Sequence, residues 1–600
     1  MPSAIRSLPL AASLPLVGAA LFFGGGAGDG SLWWLGGAVL LALLVLPATA
    51  GLPGGWGSLL PLAALAGWLA LSIRWSSLPD RSWNYADRAL VYLLFAALGL
   101  WLAGHTRRLA LGLMALLGAI VVWSLAGKVL PPVYDYGWPG VTRLRSPVGL
   151  WNQLALLAAF ALPLALWRRR ASGTLLAYGW IVALLLTYSR GGVAVAVLVV
   201  VAWLALSSER IESAATLAAA AVPAAVVVGV AFALRGVTSD FQSSATRWRD
   251  GLIFGAVLLA GAGLAVVLSR APRPRDTPVL RRALLAAGVL ALIAVVAVGV
   301  LKAGSFTGSG SVTNSSSRFA SGSSNFRTVW WQQAWDGWEH HKLAGTGAGS
   351  FQLTNLLYRD SYLDVTTEPH NLPVQFLSEA GLVGLALFLA MCAFLLRPGL
   401  RRVRGGGHEL ALALILPAFL VHSLVDVDWD FVAVSAPAFL VAGALAGRAP
   451  QRRVSPFATL AGVGVAALLF GVLLLPWLGA RWADEALGSV ITSPKTAFRL
   501  ADRAHSVDPL LVEPYWAKAY ATSSTPSTAF RYYKQAVDAQ PKNPETWLQA
   551  GEFAFGLRCY QTAYTYLERY TELNNNAKPS AGANDYRRAL LLVNAGKGRC

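Results

Sequence analysis

Apolar stretches long enough to cross a membrane recur along most of this chain, separated by short polar loops. About fifteen runs of roughly 17–25 residues satisfy a spanning-length rule, the first near Leu8–Phe23 and the last near Phe457–Leu478. A helix meets every backbone hydrogen bond internally, so runs of this length in lipid predict helices rather than open strands. The fold class is therefore all-α: a polytopic transmembrane helix bundle. Two loops break the rhythm. The first runs from Lys128 to Gly149 and contains Tyr134, Tyr136 and Trp138. The second runs from Lys302 to about Pro369, a length that marks a connection as functional or disordered. Residues 305–324 are rich in Gly and Ser, the composition of a flexible linker. Beyond them Arg327, Trp330, Trp331, Ala334, Trp335 and Trp338 fall at helical spacing. That pattern predicts an amphipathic helix lying on the membrane surface.

After Leu478 the pattern becomes that of a soluble helical domain. Turns at Asp508-Pro509, Gln540-Pro541 and Asn574-Asn575 recur about 32–34 residues apart, a period that suggests tetratricopeptide-like helix pairs. Such repeats bind partner proteins on a concave face. The expected organisation is 1–301 N-terminal transmembrane helices, 302–370 large outer loop, 371–478 C-terminal transmembrane helices and 479–600 tetratricopeptide-like domain.

Composition sharpens the class. Of 600 residues, 56% are hydrophobic and only 13% charged, more apolar surface than a soluble domain can hide. The net charge of +19 does not point to nucleic acid, because its arginines cluster in alternate short loops. Arg107-Arg108, Arg168 to Arg170, Arg270 to Arg282, Arg397 to Arg404 and Arg448 to Arg453 follow the positive-inside rule. This predicts a cytoplasmic N-terminus and, for an odd number of spans, a C-terminal domain outside the cytoplasm. The first apolar run reads as a retained anchor. Of three cysteines, Cys392 lies in a span, which leaves Cys559 and Cys600 as the pair able to meet in an oxidising compartment.

Candidate chemistry gathers on the outer side. His370-Asn371 sits where the large loop enters a membrane helix, and an imidazole there can act as a base at neutral pH. The bland alternative is a wetted helix start. Arg190, in Tyr188-Ser189-Arg190-Gly191-Gly192, occupies a turn between two spans, where a guanidinium is costly without a partner or purpose. Its planar fork suits phosphate oxygens; the alternative is an arginine anchoring a helix end. Arg143, Arg145, Arg327 and Arg359 add cations to the same face, which suits a diphosphate at the lipid surface. Asp426 and Asp428 follow His422. Pairing with an arginine, or orienting His370, is favoured there over metal binding. His340 and His341 are expected at the membrane interface. Phosphate-loop, dinucleotide, Cys-x-x-Cys and nucleophile-elbow motifs are absent from the sequence, so no nucleotide hydrolysis and no redox cofactor is expected.

The order of four motifs resembles the O-antigen ligase/polymerase superfamily. They are Pro147-Val148-Gly149-Leu150-Trp151-Asn152-Gln153, then Tyr188-Ser189-Arg190-Gly191, then Arg327…Trp331…Ala334 with Gly345-Thr346-Gly347-Ala348-Gly349-Ser350-Phe351, then His370-Asn371…Gln375…Glu379-Ala380-Gly381. His422-Ser423-Leu424-Val425-Asp426 resembles a later motif. The resemblance covers roughly residues 90–446. It implies a bacterial inner-membrane glycosyltransferase of the GT-C type, acting without a metal. The glycan would pass from an undecaprenyl-diphosphate carrier to a lipid or protein acceptor at the outer face. It further implies His370 as general base and Arg190 with Arg327 as the cations that meet the leaving diphosphate; Arg143, Arg145, Asn371 and Asn152 complete the candidate substrate-binding residues. The motifs around Asn152 and before Arg190 are abbreviated relative to the family. A polysaccharide transporter or flippase and a non-catalytic envelope scaffold are the competing classes.

Overall fold

Most of the expected apolar runs are single helices in the computed structural model, which describes residues 3–23, 28–133, 142–272, 274–275, 277–301, 324–403, 406–452, 454–576 and 581–597. Most of the first outer loop's aromatic stretch (Tyr134, Tyr136, Trp138), nearly all of the Gly/Ser-rich segment and Cys600 lie outside the described residues. Among the described residues six helices are long and apolar enough to cross a membrane. These are Asp29–Ala50, Thr106–Val129, Arg210–Ala233, Ser244–Ser269, Leu372–Arg402 and Pro456–Ser489, and six shorter apolar helices accompany them. Leu41, Val122, Leu259 and Leu468 point outward and are well exposed, as lipid-facing side chains must be. The protein is an all-α polytopic bundle. Strand is confined, among the described residues, to Leu52–Gly54 paired antiparallel with Arg448–Arg452.

At the centre the wholly buried Val432–Ala446 helix packs on Pro79–Leu100. Glycines let them approach: a Cβ on Gly443 would sit 1.9 Å from the Ala96 carbonyl oxygen, and one on Gly99 2.1 Å from that of Leu440. The Pro79–Leu100 helix begins ten residues before the apolar run that announced it. Its first turns carry Asp80, Arg81, Asp87 and Arg88, which hydropathy excludes; Asp80 accepts from Gln540 at 2.7 Å and Arg81 pairs with Glu368. Arg88 is buried, paired with Asp430 and, at 2.6 Å, with Asp29. The expected Leu410–Val425 span is instead two short helices, Gly407–Ala413 and Ile415–His422.

Helix direction sorts the loops onto two ends. The Trp151–Arg168 and Leu372–Arg402 helices start at His370's end and finish among arginines. At that basic end His408 bonds Thr106 (3.1 Å) and faces Trp167. The large loop folds at the opposite end. Its Arg327–His340 helix packs one face on protein, against Leu372–Arg402 and Phe351–Tyr358, and leaves Trp335 exposed on the other. The reason is a buried polar lattice: Trp330 donates to the Asp364 carbonyl (2.7 Å), Gln333 to the Asp364 carboxylate (3.1 Å), and Asn355 to Gln333 (2.8 Å).

The Pro456–Ser489 helix is 34 residues, or about 51 Å, so its last turns project beyond a hydrocarbon core of about 30 Å and pack on Pro494–Val507. Five further helices follow, from Glu513–Ala521 to Ala581–Asn594. This tail touches the large loop: Arg359 donates to the Asn575 carbonyl and to Asn574 Oδ1, both at 2.6 Å. Tail and loop therefore lie on one side.

Candidate active site

Asp426 organises the site. It sits in the 423–431 connection, between membrane helices, almost fully buried. Arg327 Nη2 approaches its Oδ2 at 3.1 Å and Asn152 Nδ2 donates to the same oxygen at 2.5 Å. Gln153 donates to Oδ1 at 3.4 Å, and His370 Nδ1 lies 3.7 Å from Oδ1, an ion-pair distance rather than a hydrogen bond. Burial would raise this carboxyl, but the His370 imidazole and the Arg327 guanidinium hold it well below the usual carboxylate range. It is thus a fixed anion to which two side chains from the loop and one helix start are tied.

His370 is held from several directions. Its ring stacks on Trp330, with centroids 4.9 Å apart and planes 23° from parallel. Its backbone φ of +55° is a conformation uncommon outside glycine, and such strain persists only where surroundings enforce it. On one side Glu368 is pinned by Arg81 and by the Tyr85 hydroxyl at 2.8 Å. On the other, Asn371 Oδ1 accepts the Val374 N–H at 3.1 Å and caps the Leu372–Arg402 helix. Leu372 N–H then donates to the Ser423 carbonyl (2.8 Å), fastening the helix start to the Asp426 connection.

Arg190 opens the Arg190–Leu206 helix, half-buried, with Ser189 as cap. It lies near enough to Arg327 for the two positive charges to interact. A Cβ on the adjacent Gly191 would stand 3.3 Å from Val425 and 3.9 Å from His422 Nε2, so Arg190's turn abuts the Asp426 connection. His422 itself is fully buried against Asp428, Nδ1 to Oδ2 at 2.8 Å, with Gln153 bridging Asp426 and Asp428.

Of the residues singled out in the sequence, His370, Arg327, Asn152 and Arg190 gather here. Arg143 does not present a cation to ligand. It is 1% exposed, stacks 3.9 Å over Trp151, and donates to the Thr187 carbonyl, so it braces the turn carrying Arg190. Arg145 is half-buried and sits near Lys128. Asn371 has a capping job, and Arg359 is buried against the tail. Asp426 pairs with an arginine and neighbours His370, the arrangement favoured for it over a metal. Among the described residues no three His, Cys, Asp or Glu side chains form a metal-holding group.

Sequence reading missed Arg81, Tyr85 and Glu368, and gave Glu379 no role. Glu379 accepts the Gly349 and Phe351 N–H groups at 2.9 and 3.0 Å. The glycine-rich turn needs its glycines: at Gly345 (φ +70°) a Cβ would meet the Glu379 carbonyl at 2.3 Å, and at Gly381 (φ +67°) that of Leu343 at 2.2 Å. The ordered motifs are thus two sides of one backbone clasp beneath His370.

A family model described as O-antigen ligase matches residues 251–389. Its apolar helices make it a multi-pass membrane protein, and this stretch, under a quarter of the chain, is similar to the O-antigen ligase family. No curated protein matches it. The O-antigen ligase match takes in Arg327, the glycine clasp and His370, while Asn152, Arg190 and Asp426 fall outside it and are brought to it by the fold.

Proposed function

We propose that the protein transfers a glycan from an undecaprenyl-diphosphate carrier to an acceptor hydroxyl at the extracytoplasmic face, by direct displacement. The observation that carries this reading is the convergence of His370 and Arg327 on Asp426, with Arg190 beside them. His370 takes the acceptor hydroxyl proton, and the acceptor oxygen bonds to the anomeric carbon. The bond from that carbon to the diphosphate oxygen breaks, and the electron pair leaves with the lipid diphosphate. Its growing charge is met by Arg190 and Arg327, fixed donors that need no rearrangement. The leaving group is already activated, so no nucleotide is consumed. Asp426 neutralises part of Arg327 and fixes its direction, and Trp330 keeps the imidazole from turning.

Purified protein given a lipid-diphosphate glycan and acceptor separates the classes. Joined glycan with free undecaprenyl diphosphate supports the transferase. Movement of intact donor across a vesicle points to a transporter, and neither result leaves a scaffold. Arg190→Lys keeps the charge but loses the bidentate fork. A charged hydrogen bond of about 1.5–3 kcal/mol predicts a roughly 10- to 100-fold fall in kcat/KM. Full transfer by a folded Arg190→Lys protein would reduce Arg190 to a helix anchor.

A further inference from the structure

Away from the Asp426 centre, a cavity of about 350 Å³ opens between the large loop and the tail. We propose that it binds an acidic sugar, one bearing a carboxylate or phosphate, of the glycan being handled. The proposal rests on the transfer reading above and extends it to substrate recognition.

Three kinds of group line the cavity. The loop contributes the hydroxyls of Thr346 and Thr354; Thr346 bonds the wholly buried Ser350 hydroxyl at 2.7 Å. His340 and Tyr358 lie parallel, their planes 6° apart, and form an aromatic wall. The tail contributes Lys542, Arg569 and Glu572. Arg569 and Glu572 bond each other at 2.6 Å and cancel. Among the described residues of the cavity, Lys542 is the charge with no anionic partner, exposed at the rim. Its field reaches inward: partial burial, then the positive charges of Lys542 and His340, lower the pKa of His341. Asp336 stands near Tyr358 on the loop side, its carboxylate accepting from Gln332 at 2.8 Å. Hydroxyls match sugar hydroxyls, an aromatic face matches the apolar face of a pyranose, and a single lysine matches one acidic substituent.

Position connects the cavity to the chemistry. The Arg327–His340 helix carries Trp330 against His370 and ends at His340 on the cavity wall. Ten residues separate the two, about 15 Å along the helix. A glycan anchored near His370 and running along this helix reaches the cavity. The tail thus completes a glycan subsite that the membrane helices alone do not form.

Binding of tetragalacturonate, of uncharged maltotetraose and of a tetraglutamate peptide to the full-length protein in detergent tests this without turnover. Tetragalacturonate is expected to bind best, to weaken with salt, and to lose roughly tenfold or more in affinity on Lys542→Glu. Lys542→Arg should restore it, and His370→Ala should leave it unchanged. Competition with donor assigns the acidic sugar to the donor glycan, and competition with acceptor assigns it to the acceptor. Absent binding, equal binding of maltotetraose, or full affinity in Lys542→Glu overturns the proposal. Tighter binding of the peptide also overturns it, in favour of a protein partner. Binding in a protein that never releases lipid diphosphate would overturn the transfer reading and leave the site standing; transfer without binding does the reverse.

Discussion

Asp426→Asn is expected to lower glycan transfer by roughly 10²- to 10⁴-fold, because breaking one partner of a buried ion pair costs about 3–5 kcal/mol. The carboxylate is 3% exposed and serves Arg327, Asn152, Gln153 and His370 together. An asparagine of the same shape turns an N–H₂ toward donors and leaves Arg327, beside Arg190, without the Asp426 carboxylate it pairs with. Arg327 retains 19% side-chain exposure, so water offsets part of the loss and the lower end of the range is the better expectation. Folding is checked by thermal melting of the same preparation. Near-native turnover in a folded Asp426→Asn protein would mean that Asp426 merely fills space. Acid gives a second view of the same residue. Its carboxyl is held well below the usual range, so the stability it confers is present above the unfolded carboxylate pKa and disappears only in strong acid. A loss of transfer in mild acid therefore belongs elsewhere in the site.

The helices were legible because the membrane imposes one rule, a spanning apolar run, that every part of the bundle obeys. The rule fails where polar groups pair inside the protein. The start of Pro79–Leu100 was invisible to it because Arg88 and Asp430 cancel each other across sequence-distant helices. The Arg327–His340 helix looked lipid-bound because its tryptophans suit an interface. On its other face it buries Gln333 against Asp364 and Asn355, and no helical period announces a polar lattice. In the site, His370, Arg190 and Arg327 were legible as chemistry in costly places. Arg143 carried the same signal for a different reason, its charge being stacked on Trp151. Arg81, Tyr85 and Glu368 gave none: each is ordinary in its own segment, and they acquire meaning only where Glu368 is pinned two residues before His370.

The central claim is that one imidazole moves the proton while separate arginines hold the diphosphate. Measuring donor occupancy and turnover in the same folded His370→Ala preparation tests it most directly. Loss of a general base costs about 10²–10⁴-fold. Stacking on Trp330 orients the ring, but nothing in the donor's grip depends on it, since Arg190 and Arg327 remain. The expected result is near-native binding of the lipid-diphosphate glycan with turnover reduced by that factor. Native turnover in His370→Ala, or loss of donor binding together with turnover, would contradict the account.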